Sequence, residues 1–135
     1  MKKTYTGSCH CGKVRYEANL DLSQGTGRCN CSYCAKVRNW SVMTKPVDFR
    51  LLTDEKDLGD YQFTEESPNH HFFCKHCGVR MFTRGYVEAI GGDFISVTIA
   101  TIDNLSDKER AELPVRFMNG RNNDWFSTPA ETRHL

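Results

Sequence analysis

The sequence predicts a mainly β domain with one or two short helices. Two observations carry this. Alternating apolar and polar residues recur in short runs punctuated by turn-rich stretches. Helical signals are confined to two brief segments. A third observation bears on what holds such a domain together. Two cysteine pairs, each followed at once by glycine, stand far apart in the chain and predict a metal clip between distant turns.

The elements follow in order. In "KVRYEANL", Val14, Tyr16 and Ala18 alternate with charged residues, the pattern of a half-buried strand. "SYCAKVR" predicts one or two helical turns with Ser32 as N-cap. "WSVMTK" and "DFRLLT" read as strands on either side of Pro46. "DYQFT" and "HHFFC" form a further pair around the turn-rich "EESPN". "RMFTRGYV" is another strand, and "DFISVTIATI" is the longest β-branched run and the most buried. In "LSDKERAEL", Ser106 and Asp107 ahead of Glu109 predict a short capped helix. There is no repeat and no linker, so residues 1–135 are expected to form a single domain with one modest core.

Charge excludes some functions. With 18 Lys+Arg against 17 Asp+Glu, the net charge of +1 gives no footprint for nucleic acid or an anionic membrane. No apolar run follows the two N-terminal lysines, and none approaches the roughly 18 residues of a spanning helix. A cytoplasmic location is expected. Seven cysteines are many for such a chain, and in a reducing compartment clustered cysteines indicate metal rather than disulfides.

Seven divides as four plus three. Cys9 and Cys11 in "CHCG" and Cys74 and Cys77 in "CKHCG" have the form of two zinc knuckles. Gly12 and Gly78 permit the positive φ such a turn needs. A structural Cys₄ zinc is expected here, supplying folding energy. Burial as plain core cysteines is the alternative.

Cys29, Cys31 and Cys34 in "CNCSYC" converge if Cys34 lies on the first turn of a helix. Three ligands and an open position are the layout of a reactive zinc. Three thiolates leave the ion at a net charge near −1, ill suited to making hydroxide and better matched to a fourth sulfur. The expected chemistry is attack of a bound small-molecule thiolate on an electrophile such as an aldehyde, or the reverse. Two alternatives stand beside it: closure of the site by His10, His70, His71, His76 or His134, and a reactive cysteine cluster without metal. Tyr33 and Trp40 are candidates to line a pocket or to pack in the core. Lys36 and Arg38 are candidates to hold substrate carboxylates or to be solvated surface charges. "NGRNND" reads as a polar turn.

The ordered motifs CxCG, CxCxxC and CxxCG, carried by "GSCHCGKVRYEA", "CNCSYC" and "FFCKHCGVRMF", resemble the glutathione-dependent formaldehyde-activating enzyme family. "GYVEAIGGDFISVTIATIDN" is similar to that family's later strand region. The resemblance implies a β-tent fold of small antiparallel sheets clipped by the Cys₄ zinc. It implies two Zn²⁺ per chain, the second meeting the sulfur of glutathione. It also implies carbon–sulfur lyase chemistry that joins glutathione to formaldehyde. Ala35 stands where family members often carry arginine. A non-catalytic zinc-binding interaction module and a glutathione carrier are the alternative functions.

Overall fold

The computed structural model describes residues 1–135. The chain forms ten strands and two short α-helices, arranged as two sheets. The smaller sheet holds β1 (Lys3–Ser8), β2 (Arg15–Leu20) and β5 (Phe49–Leu51) in the order β1-β2-β5. The larger holds seven strands, in the order β10-β3-β4-β9-β8-β7-β6. These are β3 (Thr26–Cys29), β4 (Trp40–Thr44), β6 (Leu58–Tyr61), β7 (His70–Cys74), β8 (Arg80–Val87), β9 (Gly92–Thr98) and β10 (Val115–Met118). All pairings are antiparallel except β10 with β3, so the larger sheet is mixed. The parallel pair arises because the chain returns from its far end to lie beside β3. Helix α1 spans Ser32–Val37 and α2 Asp107–Ala111.

The alternation in β2 does what the sequence predicts. Val14, Tyr16, Ala18 and Leu20 are all buried and face the larger sheet. A ladder of rings joins the two sheets. Tyr16 stacks on Phe49 at 5.3 Å, Phe49 meets Phe82 at 4.5 Å, and Phe82 meets Phe72 at 5.0 Å. Burying one such ring stabilises the fold by about 1.5–3 kcal/mol. The hydroxyl of Tyr16 bonds Thr101 Oγ1 at 2.8 Å, so its polar end is satisfied inside. Gly7 lies over the ring, where a Cβ would come within 2.2 Å of it.

Several sequence expectations need adjustment. Strands β1, β3 and β10 lie outside those read from the sequence; β3 and β10 are only four residues each. The strand expected at "DYQFT" ends at Tyr61. Gln62 turns the chain there by donating to the Ser67 carbonyl at 2.8 Å. The run "DFISVTIATI" is strand only to Thr98 and then tightens into a buried turn. Helix α2 has its full capping box, with Ser106 and Glu109 bonded reciprocally. Helix α1 is capped by Cys31 rather than Ser32, because the Cys31 sulfur accepts the Cys34 N–H at 3.3 Å.

One irregularity positions the site. The β7–β8 register shifts between Phe72 and Phe73, leaving one extra residue in β8. Met81 and Phe82 are therefore both buried, and Arg80 moves to the face of Thr83. No helix is long and apolar enough to cross a membrane.

Candidate metal centres

The sulfurs of Cys9, Cys11, Cys74 and Cys77 all lie within 4.8 Å of one another. Cys9–Cys11 and Cys11–Cys74 are each 3.6 Å apart. A tetrahedral zinc with bonds of about 2.3 Å has sulfur–sulfur edges of about 3.8 Å. The two turns are built alike. Val14 N–H points at Cys9 Sγ (3.3 Å) and His76 N–H at Cys74 Sγ (3.4 Å). Gly12 and Gly78 follow with φ of 81° and 79°. Burial pushes the Cys9 thiol up, but the Val14 N–H and the neighbouring thiols outweigh it and the net shift is downward. Backbone donors at Cys11 and Val79 lower Cys77 to about 6. The group ties the β1–β2 turn to the β7–β8 turn, hence one sheet to the other. Its soft donors, spacing and N–H support fit a tetrahedral thiophilic ion.

Cys29, Cys31 and Cys34 also converge within 4.8 Å, at the end of β3 and the start of α1. No histidine or carboxylate joins them. His70 is bonded to Asp60, His71 to Thr83 and His76 to Asp57, at 2.8, 2.9 and 2.8 Å. His10 and His134 are exposed in their turns. The Cys31 N–H donates to Cys29 Sγ at 3.3 Å. Hydrogen bonds from the Cys29 and Cys34 thiols, with the Cys34 and Tyr33 N–H groups, draw Cys31 down to about 2. Cys34 is raised in turn by the Cys29 and Cys31 thiols, and Cys29 chiefly by Cys31.

The walls of this triplet were not legible in the sequence. On one side, Asn39 Nδ2 approaches Cys34 Sγ at 3.7 Å. Its Oδ1 is held by Arg80 at 2.7 Å. Arg80 also donates to Tyr33 Oη, Thr98 Oγ1 and Thr83 Oγ1 at 3.1, 3.1 and 2.6 Å. All four partners are neutral, so Arg80 is a partly buried cation with no acidic partner. On the other side, Asn30 clamps the loop after β10. It donates to Asn119 Oδ1 and accepts from the Arg121 N–H, each at 3.0 Å. That loop sets Gly120 against Cys29 and Trp125, where a Cβ would lie 2.6 Å from Cys29 Sγ. The stretch "NGRNND" is therefore a turn, and also a wall of the triplet.

Tyr33 faces a group of rings with Tyr61, Phe63 and His71. Trp40 instead packs against the core, bonds Thr26 Oγ1 at 2.8 Å and lies 4.5 Å under Arg28. Lys36 and Arg38 are exposed at the C-terminal end of α1. A cavity of about 450 Å³ lies on the opposite face of β7 and β8, among Asp60, His70, Phe72, Phe82 and Arg84, and contains none of the cysteines.

A solved structure of a Rhodobacter sphaeroides protein is similar, with a TM-score of 0.68 at 25% identity, over 82% of this chain and 99% of that one. The family described as glutathione-dependent formaldehyde-activating enzyme matches residues 4–117, which include all seven cysteines and the walls contributed by Asn39 and Arg80. The match spans most of the sequence, and the chain belongs to the glutathione-dependent formaldehyde-activating enzyme family.

Proposed function

We propose that the protein is a zinc-dependent carbon–sulfur lyase, or thiol-adduct synthase, joining a glutathione-like thiol to formaldehyde or another small aldehyde, or running the reverse. The observation that carries it is the triplet of Cys29, Cys31 and Cys34, three convergent thiols that no other protein ligand joins. Cys9, Cys11, Cys74 and Cys77 hold a structural zinc in this reading. Cys29, Cys31 and Cys34 would hold a second zinc, whose Lewis acidity would favour the deprotonated, nucleophilic form of a thiol substrate.

The chain's own groups do the rest. The N–H groups of Cys31 and Cys34 stabilise thiolate charge at the triplet. Asn39 fixes the orientation of Cys34, and Arg80 fixes Asn39. The Arg80 cation offsets the negative charge that a further thiolate adds. His71, with Nδ1 tied to Thr83, is held neutral by burial and by Arg80. No protein nucleophile is required. The addition conserves atoms: the sulfur–carbon bond forms, the carbonyl π bond opens onto oxygen, and the thiol proton ends on that oxygen. Residues 1–135 act as one domain in this reading, since β10 near the chain's end pairs with β3. Seven free cysteines suit the reducing cytoplasm.

The test is the rate of adduct formation from glutathione and formaldehyde, followed by NMR at catalytic protein concentration. Acceleration by the native protein and none by a folded Cys31→Ser variant supports the reading. Equal rates with and without the native protein, across a panel of small aldehydes, overturn it.

A further inference from the structure

The rings beside the triplet are arranged as a surface rather than as core. Tyr33, Tyr61, Phe63 and His71 come from α1, β6, the β6–β7 turn and β7. All six pairs among them have centroids 4.4 to 6.4 Å apart. Tyr61 and Phe63 nonetheless remain 48% and 52% exposed. A four-ring cluster that served only packing would not leave two of its rings half exposed. The anchors are buried Thr83 and half-buried Arg80. Thr83 fixes His71, and Arg80 fixes Tyr33 through its hydroxyl, with the guanidinium 5.6 Å from the ring. What is left open is the aromatic face. Arg80 holds both the Tyr33 hydroxyl and Asn39, whose amide approaches Cys34 Sγ at 3.7 Å, so the cluster lies beside the triplet.

We propose that this cluster is a subsite for the body of the electrophile, and that the electrophile is an aldehyde bearing an aromatic group. The inference rests on the thiol-addition reading above. Formaldehyde has one carbon and covers none of these rings. A glutathione-like thiol brings carboxylates and amides, which a wall of four rings matches poorly. An aromatic ring matches it by offset or edge-to-face packing. In this arrangement the ring of the aldehyde lies against Phe63 and Tyr61 and its carbonyl carbon reaches the neighbouring triplet.

The test compares phenylacetaldehyde with acetaldehyde, which differ only by the phenyl group, each with glutathione and the metal-loaded protein. The readout is the ratio of their kcat/KM values in the native chain, in Phe63→Ala and in Tyr61→Ala. Loss of one stacking ring should lower the phenylacetaldehyde-to-acetaldehyde ratio by about 10- to 100-fold. A ratio unchanged in both variants overturns the proposal. A second arm needs no turnover. 2-Phenylethanol, titrated by NMR, should give saturable shifts of the Tyr61 and Phe63 ring protons, and ethanol none. Absence of those shifts overturns the subsite. Their presence in a protein that turns over neither aldehyde leaves the subsite standing and removes the lyase reading.

Discussion

Arg80 donates to Asn39 Oδ1 at 2.7 Å and thereby holds the Asn39 amide toward Cys34 Sγ. A cation is thus coupled to the triplet through one neutral side chain. Outer partners of metal ligands commonly change affinity by about 10- to 100-fold when removed. Of the two zinc ions proposed above, Arg80→Met should therefore make the one at the triplet easier to extract by a competing chelator, by a factor of that order, and leave the other unchanged. Extraction curves identical to those of the native protein would contradict the coupling.

Gly120 is required by contact. An added Cβ would meet Cys29 Sγ at 2.6 Å and the Trp125 ring at 2.5 Å. Overpacking of this kind costs about 1–3 kcal/mol. Gly120→Ala should lower the melting temperature and reduce metal occupancy at the triplet while the four-cysteine group keeps its ion. Full occupancy and unchanged melting would show that the loop after β10 yields freely.

The two cysteine groups should separate by mutation. The four-thiol group ties the sheets together, so Cys74→Ser should unfold the chain or leave it collapsed without cooperative melting. Cys31→Ser should keep native circular dichroism and lose activity. Similar melting for both variants would mean that the division into a structural and a reactive group is wrong.

His71 gives a pH signature. Burial and the nearby Arg80 depress it from 6.5 to about 4. The unfolded chain takes up this proton near pH 6.5 and the folded chain only near 4. Between those values falling pH favours the unfolded state, so this residue's contribution to stability is present above about 6.5 and is lost toward 4. The negative charge beside it is similar whether one thiolate is present or three thiolates hold a divalent ion. Imidazole proton shifts followed against pH should give a midpoint well below 6. A midpoint at or above 6.5 would place His71 in solvent.

Much of this was legible in the sequence because the signals are local. Val14, Tyr16 and Ala18 display their buried face directly, and Gly12 and Gly78 mark the turns that aim Cys9, Cys11, Cys74 and Cys77. The grouping of four and three cysteines follows from spacing alone. What surrounds the triplet is not local. Arg80 meets Asn39 only because an extra residue in β8 turns it to the Thr83 face, and the adjacent apolar pair Met81 and Phe82 is its one trace in the sequence. Gly120 and Asn119 reach Cys29 and Asn30 through the parallel pairing of two four-residue strands, too short to show periodicity. Tyr33 could be weighed as pocket or core from its position. Its partners Tyr61, Phe63 and His71 are assembled only when α1 packs over β6 and β7.

The central claim is an open, thiol-accepting metal site at Cys29, Cys31 and Cys34, distinct from a closed one at the other four cysteines. Mass spectrometry under non-denaturing conditions, with and without glutathione, tests it most directly. The account predicts two zinc ions per chain and a further mass of one glutathione on the two-zinc species, lost in Cys31→Ser. A single zinc ion with a mass unmoved by glutathione would contradict it.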